Sequence, residues 1–235
     1  MKQLIIVLLA AAFFIGCESK GTLKEAKTSF QKEFELKGKI DQTSSTYVYL
    51  NQLVENGFYA VDSTKIINNT FIFIGSILYP ERYALTFNNS SEFSLLVLEN
   101  TNFSISLISE NIPEPIIENS SLNNTLQQYR NAAKEIFKKI DYLYPHFQKA
   151  RLENNDQRLK EIGLEIKNIE KEFETFTYKF IIENNNSFVS AMILRDQLKV
   201  SQVDTFKIKE LYKLLSSEVK ESPDSQFIAI TLKLN

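Results

Sequence analysis

The sequence predicts an α+β chain: an N-terminal antiparallel β-sandwich or barrel-like domain of about seven strands, then an α-helical hairpin and shorter helices. Two observations predict the β part. Apolar and polar residues alternate from Phe34 onward, and turn residues recur at intervals of roughly 8–12 positions. A third observation predicts the helices, because the apolar period becomes helical beyond Asn111 to Ser121, a segment that contains Pro113 and Pro115.

These patterns divide the chain into five segments with different expected roles. They are a lipoprotein signal peptide (1–16), a flexible tether (17–32), a β-rich domain (33–111), an α-helical region (120–222) and an extended C-terminal tail (223–235).

The predicted strands are short, and asparagine- or serine-rich turns separate most of them. Asn68 and Asn69 lie between the third and fourth strands, and asparagine tolerates the positive φ that a two-residue turn requires. We therefore expect these two strands to form a hairpin. The predicted strands are 34–40, 46–53, 59–67, 70–78, 83–87, 93–98 and 103–108.

The first predicted helix spans 123–153 and contains Pro145, which predicts a kink because proline removes a backbone donor. Apolar residues of the second helix recur at heptad spacing, which is typical of an intramolecular helical hairpin or an intermolecular coiled coil. Two shorter helices are expected at 187–198 and 204–217, with Pro223 ending the helical region and 226–234 extended. The heptad residues are Leu159, Ile162, Ile166, Ile169, Phe173, Phe176 and Phe180.

The N-terminus predicts where the protein is located. Lys2 precedes the apolar run from Leu4 to Ile15, which is shorter than the about 20 residues that span a bilayer and fits a secretory signal. Gly16 and Cys17 follow, and this Ile-Gly-Cys ending resembles the lipobox of bacterial lipoproteins. The resemblance implies cleavage before Cys17 and acylation of its thiol. The alternative is an ordinary secretory signal followed by an unmodified cysteine.

Composition favours a globular protein with no electrostatic attraction to polyanions. The hydrophobic fraction is 43%, which is sufficient for a buried core, and the formal net charge is −2. A near-neutral chain does not favour nucleic acid or an anionic membrane surface as a partner. Cys17 is the only cysteine, so its acylation would leave no free thiol in this sequence.

Several stretches of the β-rich part resemble a domain of unknown function that is common in envelope lipoproteins of Bacteroidota. In that family the domain normally precedes a thioredoxin-like domain of the TlpA or peroxiredoxin (AhpC-TSA-like) type, which contains a Cys-x-x-Cys pair. This sequence has no such pair, so the resemblance implies the accessory part without the redox chemistry, which needs two thiols. The stretches are 34–40 (FELKGKI), 47–50 (YVYL), 62–64 (DST), 71–75 (FIFIG), 80–83 (PERY), 98–100 (LEN) and 119–123 (NSSLN).

Other candidate sites are weaker. His146 is the only histidine, so a zinc site would need carboxylates around it, and we interpret it as a surface or helix-kink residue. Ser63, in Asp62-Ser63-Thr64, has no base placed by the sequence to activate it, although the triplet resembles a bacterial O-glycosylation acceptor. The acidic residues Glu110, Glu114, Glu170, Glu172 and Glu174 are interpreted as solvent-exposed charges.

The functional expectation is a non-enzymatic, lipid-anchored envelope protein that binds or scaffolds, with no cofactor and no metal. We expect it on the periplasmic face of the outer membrane, with the membrane as its partner through the lipid. The alternative is an accessory acting in trans with a thioredoxin-like oxidoreductase, for which the apolar end from Phe227 to Leu234 offers a contact surface. A hydrolase with an unrecognised site is a third hypothesis. Oligomeric state stays open.

Overall fold

The computed structural model describes residues 32–54, 57–200 and 203–234. The predicted signal peptide, Cys17 and all but the last residue of the predicted tether lie outside the described residues. Within them, a β-rich part precedes a helical part, which confirms the α+β fold class. The strands are β1 (Phe34–Ile40), β2 (Tyr47–Val54), β3 (Gly57–Lys65), β4 (Thr70–Gly75), β5 (Glu81–Phe87), β6 (Phe93–Leu98), β7 (Asn102–Leu107) and β8 (Ile116–Glu118).

The strands form two four-stranded sheets, ordered β4-β1-β7-β8 and β3-β2-β5-β6. Most neighbours are antiparallel, as predicted, but β1 and β7 pair in parallel, with Glu35 opposite Asn102 and Ile40 opposite Leu107. The strand β8 was not predicted. It lies in the proline-containing segment and pairs with β7 through three residues, Ile116 to Glu118.

A single apolar core lies between the two sheets, so the β part is a sandwich. Alternation fixes which side chains enter it, since successive residues of a strand point to opposite faces. On β1, for example, Phe34, Leu36 and Ile40 are buried while Lys37 and Lys39 are exposed. The core takes residues from both sheets, among them Leu36, Phe73 and Ile105 of the first and Leu50, Leu85 and Leu96 of the second.

The predicted hairpin of the third and fourth strands is wrong beyond its turn. Asn68 and Asn69 adopt positive φ values of 51° and 61°, as the tight turn requires, and Ile67 and Thr70 form an isolated bridge. The arms then separate, because β3 pairs with β2 in one sheet and β4 pairs with β1 in the other. The turn therefore carries the chain from one sheet to the other.

The helices begin directly after β8. Pro145 lies inside the first of them, and the two long helices pack against each other as the intramolecular hairpin. The helices are α1 (Ser121–Leu152), α2 (Asp156–Glu183), α3 (Phe188–Asp196), α4 (Thr205–Leu214), α5 (Ser217–Lys220) and α6 (Pro223–Leu232), with a 3₁₀ turn at Gln197–Lys199.

The expectation of an extended tail after Pro223 is wrong, because these residues form α6. Ser222 caps the helix by accepting a hydrogen bond from the backbone N–H of Ser225, Pro223 occupies the first turn, and Asp224 adds a negative charge there. These are helix-start signals. Helix α6 packs on α3, and Ile228 is fully buried, so the apolar residues at this end are partly covered.

A second core joins the helices to the sandwich. It includes Val97 of β6, Leu194 of α3, Leu211 of α4 and Ile228 of α6, all of which are buried. The residues from Lys32 onward form one compact unit. Among the described helices, none has the length and apolar character needed to cross a membrane.

Candidate functional site

The candidate residues from the sequence lie on different elements. His146 is exposed on α1, with its ring centroid 5.3 Å from that of Tyr142. Ser63 is exposed on the edge strand β3, where its backbone N–H donates to Asp62 Oδ1 at 2.7 Å. Cys17 lies outside the described residues, so its acylation stays a prediction.

The acidic candidates take separate roles. Glu172 on α2 forms an ion pair with Lys139 on α1, and Glu174 accepts a hydrogen bond from the Tyr178 hydroxyl. In the described part of the chain, no group of three or more His, Cys, Asp or Glu residues could hold a metal ion. Glu114 differs from the others, because it lines a cleft between the sandwich and α1.

The start of α1 is fixed to the sandwich by Glu99, in the loop after β6. Its carboxylate accepts hydrogen bonds from the Ser120 hydroxyl and from the backbone N–H of Leu122, the latter at 3.2 Å. Ser120 in turn caps the helix by accepting from the N–H of Asn123 at 3.1 Å. A carboxylate at this end of a helix also stabilises the helix dipole.

Asn123 then closes the open edge of β6. Its side-chain oxygen accepts from the Val97 N–H at 2.8 Å, and its side-chain nitrogen donates to the Val97 carbonyl at 2.7 Å. A neighbouring strand would satisfy the same two backbone groups, so the amide takes the place of a strand. The stretches 98–100 and 119–123, which are far apart in the sequence, thus form one junction.

Beside this junction lies a cleft with a volume of about 330 Å³. This is at the lower end of the range for small-molecule sites, which is about 300–1,000 Å³. Its walls combine apolar and amide side chains with one carboxylate and one guanidinium. The lining residues are Leu95, Glu114, Pro115, Ile116, Ile117, Asn123, Asn124, Leu126, Gln127 and Arg130.

Arg130 is the charged group on the α1 wall. It is half-buried, and burial lowers the pKa of its guanidinium, an effect that the charge of Glu114 opposes and that of Arg82 reinforces. Four arginines of the described chain are half-buried, and Arg158 of α2 is paired with Glu161 and Glu165. Arg82 and Arg195 are paired with aspartates, whereas Arg130 has no carboxylate within 4.0 Å among the described residues.

The paired arginines connect the sandwich to the helices. Arg82 on β5 donates to both carboxylate oxygens of Asp196 on α3, at 2.6 and 3.1 Å. Arg195 donates to Asp224 of α6 at 2.8 Å and stacks over the Phe227 ring at 4.3 Å. The charges of these arginines are thus already balanced, and we interpret the cluster as structural.

Glu81, beside this cluster, accepts a hydrogen bond from Gln52 at 3.1 Å. Burial raises the pKa of the Glu81 carboxyl, and the nearby charge of Asp224 raises it further against the opposing effects of Gln52 and Arg195. The cluster therefore holds one carboxyl that ionises less readily than an ordinary glutamate.

A larger groove of about 570 Å³ runs along the helical hairpin, lined in part by Lys138, Lys139 and Tyr142. Both lysines already have carboxylate partners, Lys138 with Glu135 and Lys139 with Glu172. The groove is wide open, so it offers a ligand little enclosure. We therefore take the cleft beside Arg130 as the candidate functional site.

Residues 34–126 match a family described as a domain of unknown function, DUF4369. The match covers β1 to β8 and the first residues of α1, so it includes the Glu99 and Asn123 junction and most of the cleft lining. Arg130 and Gln127 lie just beyond it. No curated protein matches the sequence.

Sequence reasoning did not find the cleft or Arg130. The lining comes from β6, β8, the loop before β8 and α1, and nothing in the sequence shows that these segments meet. One signal was present, because the sequence of 119–123 contains a serine cap followed by an asparagine at a position that proved to be buried.

Proposed function

We propose that this chain is a lipid-anchored envelope protein that acts as a non-catalytic binding module, with the cleft beside Arg130 as its ligand site. The observation that carries the binding role is the half-buried guanidinium of Arg130, which faces the cleft without a carboxylate within 4.0 Å among the described residues. A half-buried guanidinium without such a partner is suited to form an ion pair with an anionic group of a ligand.

The lining also favours binding over catalysis in this proposal. Apart from Glu114 and Arg130 it consists of apolar and amide side chains, and it includes no serine, cysteine or histidine that could act as a nucleophile or base. A mostly apolar cleft with a few polar groups that orient a ligand is typical of a small-molecule site.

The anchoring part of the proposal is supported by the sequence from Met1 to Cys17 alone. Two or more acyl chains make membrane attachment stable, so a lipidated Cys17 would anchor the protein to a membrane. The periplasmic face of the outer membrane is the location that we propose for it. The matched domain is of unknown function and does not contribute to this part.

Replacement of Cys17 tests the anchor. We expect Cys17→Ala to leave the protein without an acyl mass and either uncut or released from membranes, as measured by fractionation and intact mass. Ser19→Ala serves as the control and should behave like wild type. Membrane retention and an unchanged mass for Cys17→Ala would show that the protein is not a lipoprotein.

For the alternative role beside a thioredoxin-like protein, one of the two supporting arguments is weaker than the sequence suggested. It relied partly on an uncovered apolar end, but Ile228 is buried under α3 and α6 ends in a left-handed cap at Lys233. Ile230 is still 77% exposed. Co-purification from solubilised membranes with the wild type and with Ile230→Lys would test it, since loss of a captured thioredoxin-like protein in the variant would favour this role.

A further inference from the structure

Arg130 carries its positive charge at a half-buried position. Its neighbours on the cleft walls are mainly uncharged. The opposing charge that acts on its guanidinium is that of Glu114, which is exposed in the loop before β8 and forms no ion pair within 4.0 Å among the described residues. A guanidinium presents its donors as a planar fork that matches a carboxylate, so it is well suited to receive one.

The other walls indicate what accompanies that carboxylate. Leu95, Pro115, Ile117 and Leu126 provide apolar surface, and burying an aliphatic group against such surface is favourable. Asn124 also lines the cleft and is exposed, so its amide is available to a polar group of the ligand. The ligand is therefore expected to be apolar at one end and acidic at the other.

The charge of the cleft limits how acidic the ligand can be. One guanidinium and the carboxylate of Glu114 leave no net positive charge among the lining residues. A dianion such as phosphate would face repulsion from Glu114 with a single arginine to offset it. A single negative charge is the better match, and the volume of about 330 Å³ restricts the ligand to a small molecule or the end of a chain.

We propose that the cleft binds a small monocarboxylate with an aliphatic side group, and that Arg130 receives its carboxylate. This inference rests on the proposed function, because it names the ligand class of the same site. Both a free carboxylic acid and the carboxyl terminus of a peptide carry such a carboxylate. The test therefore includes one ligand of each kind, so that the two sources can be distinguished.

The test uses full-length protein purified from detergent-solubilised membranes and ligand-observed NMR titrations. The probes are N-acetyl-leucine, its uncharged amide, an acetylated leucine-terminated tripeptide and inorganic phosphate. We expect the acid to bind about 10- to 100-fold more tightly than the amide, the ratio expected for loss of a charge-assisted hydrogen bond. Tighter binding of the tripeptide than of N-acetyl-leucine would identify a chain terminus as the source.

The variant Arg130→Gln should abolish the preference for the acid, so that acid and amide bind alike. Lys134→Gln is the matched control, because Lys134 is exposed on the same helix and lies outside the cleft lining. It should keep the wild-type preference. Gln127→Trp, which fills the cleft from an exposed position, should weaken both probes.

Several results would overturn the inference. They are equal binding of acid and amide to the wild type, no saturable binding of the acid up to about 10 mM, and unchanged preference in Arg130→Gln. Stronger binding of phosphate than of the acid would also do so. The anchoring part of the proposed function would survive each of these results, because the Cys17→Ala fractionation tests it independently.

Discussion

Gly38 and Gly163 show how the same substitution can have opposite effects in one chain. Gly38 is buried on β1, where the ring of Phe71 on β4 lies against its α-carbon and occupies the space that a Cβ would need. Gly163 is exposed on α2, and an added Cβ there meets nothing within 4 Å.

We expect Gly38→Ala to destabilise the protein by about 1–3 kcal/mol, because the buried Phe71 ring must move within a packed core. Gly163→Ala is the matched control and should stabilise it by roughly 0.5–1 kcal/mol, since alanine is the better helix former. Urea unfolding of both variants measures the two effects. Equal shifts of the same sign would contradict this packing of Phe71 on Gly38.

At the scale of the element, Asn123 shows how one side chain can complete a strand edge. The Val97 N–H and carbonyl are buried, and the Asn123 amide satisfies both. A helix thus covers the edge of β6 where another strand would otherwise be required.

Removal of this amide should be costly. We expect Asn123→Ala to reduce the free energy of unfolding by about 2–4 kcal/mol, because two buried backbone groups each lose a partner. Asn124→Ala, one residue further on at an exposed position, should change it by less than about 0.5 kcal/mol. Denaturant unfolding compares them, and similar values would show that the Val97 edge is satisfied by solvent.

Strands and long helices could be predicted because their apolar periods are local. Phe34, Leu36 and Ile40 alternate, and the residues of the α2 stripe recur three and four apart, whatever their partners are. Partner choice is not local. The Asn68-Asn69 turn was predicted correctly, yet its two arms join different sheets.

The two errors at segment ends have a related cause. The strand β8 has only three residues, which are too few to show an alternating pattern. It is a strand because its backbone pairs with that of β7. In α6 the apolar residues lie on several faces of the helix, so the sequence shows no helical period. Only the residues Ser222-Pro223-Asp224, which are typical of a helix start, could have predicted this helix. The sequence did not predict the cleft, because its walls come from β6 and β8 of the sandwich and from α1 of the helical part.

At the scale of the whole molecule, the ion pair of Arg82 with Asp196 links the sandwich to the helices. Opposing effects act on the Arg82 guanidinium. Burial lowers its pKa, but the hydrogen bonds and charge of Asp196, together with the charge of Asp224, raise it more, so the pKa lies above its ordinary value. The pair is bidentate and partly shielded from solvent, which distinguishes it from the pairs on the helical hairpin.

A double-mutant cycle should measure this link. We expect Arg82→Met and Asp196→Asn to show a coupling of about 1–2 kcal/mol in the free energy of unfolding. The exposed pair Arg158–Glu161 on α2 is the control, with an expected coupling of about 0.3–0.5 kcal/mol. Equal couplings would mean that the link between the sandwich and the helices does not depend on this pair.

The parallel pairing of β1 with β7 bears on how the molecule folds. The strand β1 is central in its sheet, but neither of its neighbours is the next strand in sequence, since it lies between β4 and β7. Its parallel partner β7 begins at Asn102, and five strands, β2 to β6, lie between the two in the sequence. Because such distant contacts must overcome a large loop-closure entropy, the first strand made is among the last to be completed, and we expect the sandwich to fold slowly as one cooperative event.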